Sequence, residues 1–152
     1  YRHVEFVLGN KSRKLAAAHR NLPHIWPEME TSLNAPSLYD EVIALLHRNG
    51  LAIDGPALER DWGETYQPND SVKAAWHKIY QNPATDNQLF RLGETLVALD
   101  EHFSIYRWRH FISVHKIIGG KPGTGGSAGL GWLEQVTRHR FFPELWEIRD
   151  GL

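Results

Sequence analysis

TDNQLFRLGETLVALDEHFSIYRWRHFISVHKII, residues 85–118, decides the fold class. Within it Leu89, Leu92, Leu96, Leu99, Phe103, Tyr106, His110, Ser113 and Ile117 follow one another in alternating steps of three and four. That period puts all of them on one stripe of a single long helix. A second line, Ile105, Trp108, Ile112 and Ile118, predicts that the carboxy-terminal half is covered on more than one side, as inside a bundle. No run alternates with the period of a strand and no internal repeat is present, so the fold is expected to be all-α, a helical bundle around this long helix.

Outward from the long helix, Pro83 separates it from a helical pattern at Ser71–Tyr80 carried by Val72, Ala75, Trp76 and Ile79. Gly55, Pro56, Gly63 and Pro68 make residues 51–69 a long connection with at most one helical turn, around Ala57 to Trp62. Residues 35–49 form a further helix, with Pro36 near its start and Gly50 just past its end. Val4, Phe6, Val7 and Leu8 before Gly9 read as the end of a helix, followed to about Asn34 by weak helix or coil. The chain begins at Tyr1, without Met and inside a helical apolar pattern, and is expected to be a piece of a longer polypeptide.

A chain of 152 residues with 41% hydrophobic content has enough apolar material for one packed domain. Its 17 basic and 18 acidic residues leave a net charge of -1, so no overall field draws it to nucleic acid or an anionic membrane. The absence of cysteine removes disulfides, thiolate metal sites and thiol nucleophiles, and suits the cytoplasm. No stretch reaches the roughly 20 apolar residues that a bilayer crossing needs, and the charged start YRHVEFVLGNKSRK is no signal peptide.

His110 stands out because its stripe is otherwise filled mostly by Leu, Phe, Tyr and Ile. A neutral imidazole in an apolar setting is either a hydrogen-bonded core residue or a metal ligand. Zinc is disfavoured: no HExxH occurs, and His110 and His115, five apart, point in different directions from one helix. Haem needs one strong protein ligand and a large apolar slot, which His110 on an aromatic-rich helix offers. His102, beside Glu101 and off the stripe, is expected to be solvated.

Directly after the long helix comes GGKPGTGGSAG, residues 119–129. Such glycine density lets backbone amides approach a ligand closely. It contains a GxGxxA string, but a dinucleotide fold needs a preceding strand, and no GK is followed by Ser or Thr as a Walker phosphate loop requires. A flexible interhelical linker is the plain alternative.

RWRH at 107–110, followed fourteen residues after His110 by Thr124 within GTGGSAG, resembles the tryptophan 2,3-dioxygenase family, whose pattern is RxRH followed by GTGGSSG. YRHVEFVLGNK at the start, APSLYDEV at 35–42, Arg60-Asp61-Trp62 and FFPELWEIR near the end extend the resemblance over nearly the whole chain.

The resemblance implies haem b as cofactor, with His110 as the proximal iron ligand and Thr124 binding the amino-acid end of L-tryptophan. Tyr106, Ser113, Val114 and Ile117 are the side chains that helical spacing then puts near the haem. It implies oxidation of L-tryptophan by O2 to N-formylkynurenine, in tryptophan catabolism by the kynurenine pathway. It also implies a cytoplasmic homotetramer, with residues 1–152 as the carboxy-terminal part of a single domain. The amino-terminal part of the same enzyme, absent from this chain, becomes a partner, and no catalytic residue is expected here because the distal His lies upstream. Ala128, where the family usually has a second Ser, leaves open a related haem enzyme acting on another indole. A non-catalytic helical interaction module is the remaining class.

Overall fold

The computed structural model describes residues 1–85, 87–119 and 129–152. Among them every regular element is helical and none is a strand. The chain divides into two compact units, Tyr1–Gly93 with Phe141–Leu152, and Glu94–Arg140.

In the first unit α1 spans Arg2–Leu8 and stops at Gly9. The Gly9 and Asn10 amides donate back to the Phe6 and Glu5 carbonyls at 3.1 and 2.9 Å, an arrangement that requires the left-handed φ of 106° at Gly9. The stretch expected to be weakly helical forms two short helices, α2 at Arg13–Ala17 and α3 at Trp26–Asn34. The reason is tertiary: Ala16, Met29 and Leu33 pack on Phe6 of α1, a contact that local propensity does not report.

Helix α4, Leu38–Arg48, begins later than its apolar pattern suggests because Ser37 caps it. The Asp40 amide donates to Ser37 Oγ at 3.2 Å, and the Ser37 amide donates to Asp40 Oδ2 at 2.8 Å, a closed capping box. The same carboxylate receives Arg60 in a two-pronged pair, Nε to Oδ1 at 2.6 Å and Nη2 to Oδ2 at 2.8 Å. Arg60 Nη1 then donates to the carbonyls of Asp61 and Glu64. The long connection is therefore tied to α4, and its one helical turn, α5 at Gly55–Leu58, sits slightly before the expected position because Asp54 caps it.

Helix α6 spans Asp70–Gln81 and is capped by Asn69. Near the end of the chain lie α9, Pro143–Glu147, and a 3-10 turn, Ile148–Gly151, both packed on α6. The centre of this unit is Glu144 of α9, with no solvent exposure. It accepts from Tyr39 Oη at 2.9 Å, from the Asn69 amide at 2.8 Å and from Tyr66 Oη. Trp76 Nε1 donates in turn to Tyr39 Oη at 3.0 Å. Burial pushes the Glu144 carboxyl above its usual range, opposed by these hydrogen bonds.

The long helix, α7, spans Asn87–Ile118. Its first turns press on α6 at Gly93, where an added Cβ would lie 2.8 Å from Tyr80 Oη and 3.1 Å from the Trp76 ring. The rest of α7 and α8, Leu130–Thr137, belong to the second unit.

Here the structure corrects the expectation of a helix packed along its whole stripe. Leu89 to Phe103 are half-buried or buried, but from Tyr106 onward the stripe is open: Tyr106 is 50% exposed and Ile117 82%. The second line is open too, with Trp108 51% exposed beside Ile105 and Ile112. Periodicity reports which side chains share a face. It does not report whether the chain in hand covers that face.

Replacing Glu144 by Ala strands two tyrosine hydroxyls and an amide in the interior. We expect a loss of roughly 3–5 kcal/mol by urea denaturation of the purified protein, and a smaller loss for Glu144→Gln. An Ala variant as stable as the parent would remove Glu144 from the centre of the unit.

Lys11 gives the second prediction. Its ammonium is buried and donates to the carbonyls of Leu33 and Ala35, and burial lowers its pKa from 10.5 to about 8, with Asp40 opposing the shift. The folded value lies below the unfolded one, so the unfolded chain holds more protons across this window and stability rises with pH there. Tyr39 and Tyr66, both shifted up mainly by burial, act oppositely: unfolded tyrosines ionise first above about pH 10, and stability falls. The Tm should climb from pH 8 towards about 10 and drop beyond it, with Lys11→Met flattening the climb. A climb of equal slope in both proteins would assign it elsewhere.

Candidate functional site

His110 lies on the open part of α7, and its imidazole is exposed. The sequence expectation of a buried setting is thus corrected, for the same reason as the stripe. The ring lies parallel to that of Tyr106, one turn earlier, with centroids 6.1 Å apart and planes 3° from parallel. Neither imidazole nitrogen has a hydrogen-bond partner among the described residues.

Tyr106, Ser113, Val114 and Ile117 all fall within about 60° of His110 around the helix axis. Val114 is half-buried and the other three are exposed. The result is a strip of aromatic and aliphatic surface with one nitrogen base at its middle. Chemically such a strip can accept an apolar group, with the imidazole as a nitrogen donor beside it.

The other candidates separate from this strip. His102 is exposed, and its Nδ1 lies 2.6 Å from the Ala98 carbonyl oxygen of the preceding turn, as suits a solvated residue. His115 lies about 140° around the axis from His110 and packs its ring against Phe111, 5.9 Å between centroids. Among the described residues no three His, Asp or Glu are grouped to hold a metal ion. A metal at His110 would therefore need its remaining ligands from a group bound with it.

Thr124 lies outside the described residues. The chain leaves α7 through Gly119 at φ 58° and enters α8 from Gly129 at φ 71°, ψ -143°. Both conformations favour glycine, so these two positions of the glycine-rich segment are backbone requirements as well as composition.

One buried neighbour of His110 carries no mark of its burial in the sequence. Between Glu101 and Gly119 the single buried side chain is Arg107, 3% exposed. Its Nη1 donates to the His139 carbonyl at 2.9 Å, and Arg140 Nη1 donates back to Ser104 Oγ at 2.7 Å. The available signal was RWRH itself, where an arginine sits one turn before the histidine. Nothing in the pattern distinguishes a buried guanidinium from a solvated one.

A family model described as tryptophan 2,3-dioxygenase matches residues 77–152, half of the chain. The matched stretch holds α7 with His110, the glycine-rich segment and α9. Tryptophan 2,3-dioxygenases of Cupriavidus necator and Pseudomonas fluorescens are each 43% identical over all 152 residues, covering 52% and 54% of their own lengths. That of Caulobacter vibrioides is 41% identical over the same residues, 58% of its length. The chain thus spans about half the length of the curated relatives it matches. No helix among the described residues is long and apolar enough to cross a membrane.

Proposed function

The chain belongs to the tryptophan 2,3-dioxygenase family, and from that premise we propose that the whole protein is a haem-dependent dioxygenase. It inserts both atoms of O2 across the 2,3 bond of the indole of L-tryptophan, giving N-formylkynurenine in the kynurenine pathway. The observation that carries this reading is His110, a ring nitrogen base without a hydrogen-bond partner among the described residues, at the middle of an exposed apolar strip.

The residues fit haem b. His110 would hold the haem iron, and Tyr106 and Ile117 on either side would offer the apolar wall that a macrocycle needs. When bound, haem supplies the binding and activation of dioxygen. The chain's own part is to hold the reactants. The Thr124 hydroxyl, with glycines adjacent in sequence, would grip the ammonium and carboxylate of the amino acid and so orient the substrate. No acid–base residue is assigned to residues 1–152, and the distal His of the family is proposed to lie outside them.

We further propose that residues 1–152 are the carboxy-terminal part of a single domain in a cytoplasmic homotetramer, with no nucleic-acid or membrane partner. Ala128, in place of the family's second Ser, favours assaying other indoles beside L-tryptophan. Product identification separates the two.

His110→Ala in the full-length protein is expected to abolish stable haem binding while far-ultraviolet circular dichroism keeps its helical signature. Parental haem content and an unchanged axial-ligand spectrum would end the assignment.

Thr124→Val should spare haem binding and weaken tryptophan use. A lost hydrogen bond to a charged group costs on the order of 1.5–3 kcal/mol, roughly tenfold to a hundredfold in kcat/KM. Equal kinetics for variant and parent would leave the glycine-rich segment as a linker.

A further inference from the structure

We propose that Arg107 is a positioning residue for His110: it fixes the roll of α7 about its own axis, and with it the direction in which the imidazole points. The proposal rests on the reading of His110 as the axial ligand.

The carboxy-terminal half of α7 is unusual in what it buries. Ile105, Tyr106, Trp108, Ile112 and Ile117 are exposed, and the one fully buried side chain is a guanidinium. Burying a charge is costly and seldom adds net stability, but it is highly directional, because the fork of N–H donors must meet its acceptors at fixed places. Arg107 meets the His139 carbonyl, at the far end of the segment that returns through α8.

A second bond runs the opposite way. Arg140, next to His139, donates to Ser104 Oγ, and that hydroxyl donates to the Asp100 carbonyl of its own helix at 2.9 Å. Ser104 and Arg107 are about one turn apart on neighbouring lines of α7. Two attachments at different heights resist both rotation and sliding of the helix against residues 139–140. A single bond would act as a pivot.

His110 follows Arg107 by three residues, so its azimuth is set from one turn away. Rotation by one residue, about 100°, would turn the imidazole, together with Tyr106 and Ile117, away from its present direction relative to residues 139–140. Apolar packing holds the first half of α7, where Leu96 and Val97 are buried, but Tyr106 and Ile117 on either side of His110 are exposed and add little hold of their own there. Residues that orient a metal-bound histidine through its surroundings change ligation by about tenfold to a hundredfold when removed.

The test uses full-length haem-loaded protein. Haem transfer to excess apomyoglobin and the ferrous iron–histidine stretching band are measured for Arg107→Met, Arg107→Lys and Arg140→Met, each with its Tm. Arg107→Met keeps the aliphatic bulk and loses every donor, so haem loss should accelerate about tenfold or more and the band should shift or broaden. Arg107→Lys should recover part of this, and Arg140→Met should show a smaller change in the same direction.

Glu144→Gln, a destabilising change in the other unit, serves as the control. If it accelerates haem loss as much as Arg107→Met for the same fall in Tm, Arg107 is only structural and the proposal is overturned. Parental haem loss and band in Arg107→Met overturn it as well. Should that variant not fold, Arg107→Lys and Arg140→Met both at parental values overturn it. Haem retained by His110→Ala defeats the axial-ligand reading, whereas haem lost by His110→Ala but not by the arginine variants defeats positioning alone.

Discussion

One buried carboxylate organises the first unit. Glu144 sits where α4, α6, α9 and the connection before α6 converge, and it takes three donors at once, one from α4 and two from that connection. The bonds form a directed chain. Because Trp76 Nε1 donates to Tyr39 Oη, the tyrosine hydrogen is left to point at Glu144, and only an acceptor satisfies it there. Asn69 extends the order in the other direction: its amide is held by Glu144 while its side chain accepts from the Ser71 and Val72 amides and starts α6. An apolar residue of equal volume would fill the space and leave each of those donors without a partner.

This centre was hard to see in the sequence, for a physical reason. A glutamate inside FFPELWEIR carries no mark of burial, and its partners lie 75 to 105 residues away along the chain. Long-range polar contacts leave no period. The long helix was legible because its signal is local, repeated and nine side chains long, and α4 and α6 were legible on shorter versions of it. Helices α2 and α3 were not, because packing of Ala16, Met29 and Leu33 on Phe6 decides them.

The site divides along the same line. His110 could be found because a histidine interrupts an apolar stripe, and the ligand role proposed for it came from the spacing to Thr124 in a family pattern. Its exposure could not be found, since a stripe states only that a face will be stable when something covers it. Two faces of α7, one through Tyr106, His110 and Ile117 and one through Ile105, Trp108 and Ile112, lie on opposite sides of the helix. Both are open in this chain. The relatives, about twice as long, have as much polypeptide again with which to cover such faces.

Glu144 and Arg107 solve related problems by the same means. Apolar contacts drive burial but are less demanding of direction than hydrogen bonds, so a helix resting on them alone is less sharply fixed in angle. A buried charge has no such tolerance. Moved by a few ångströms it loses its partners and keeps its desolvation cost. In the first unit that intolerance fixes where α9 docks on α4 and α6. In the second it falls on α7, the helix that carries His110, the residue proposed to hold the haem. An arginine one turn before the histidine can therefore give that half of the helix a directed attachment that its isoleucines and aromatics, open to solvent, do not supply.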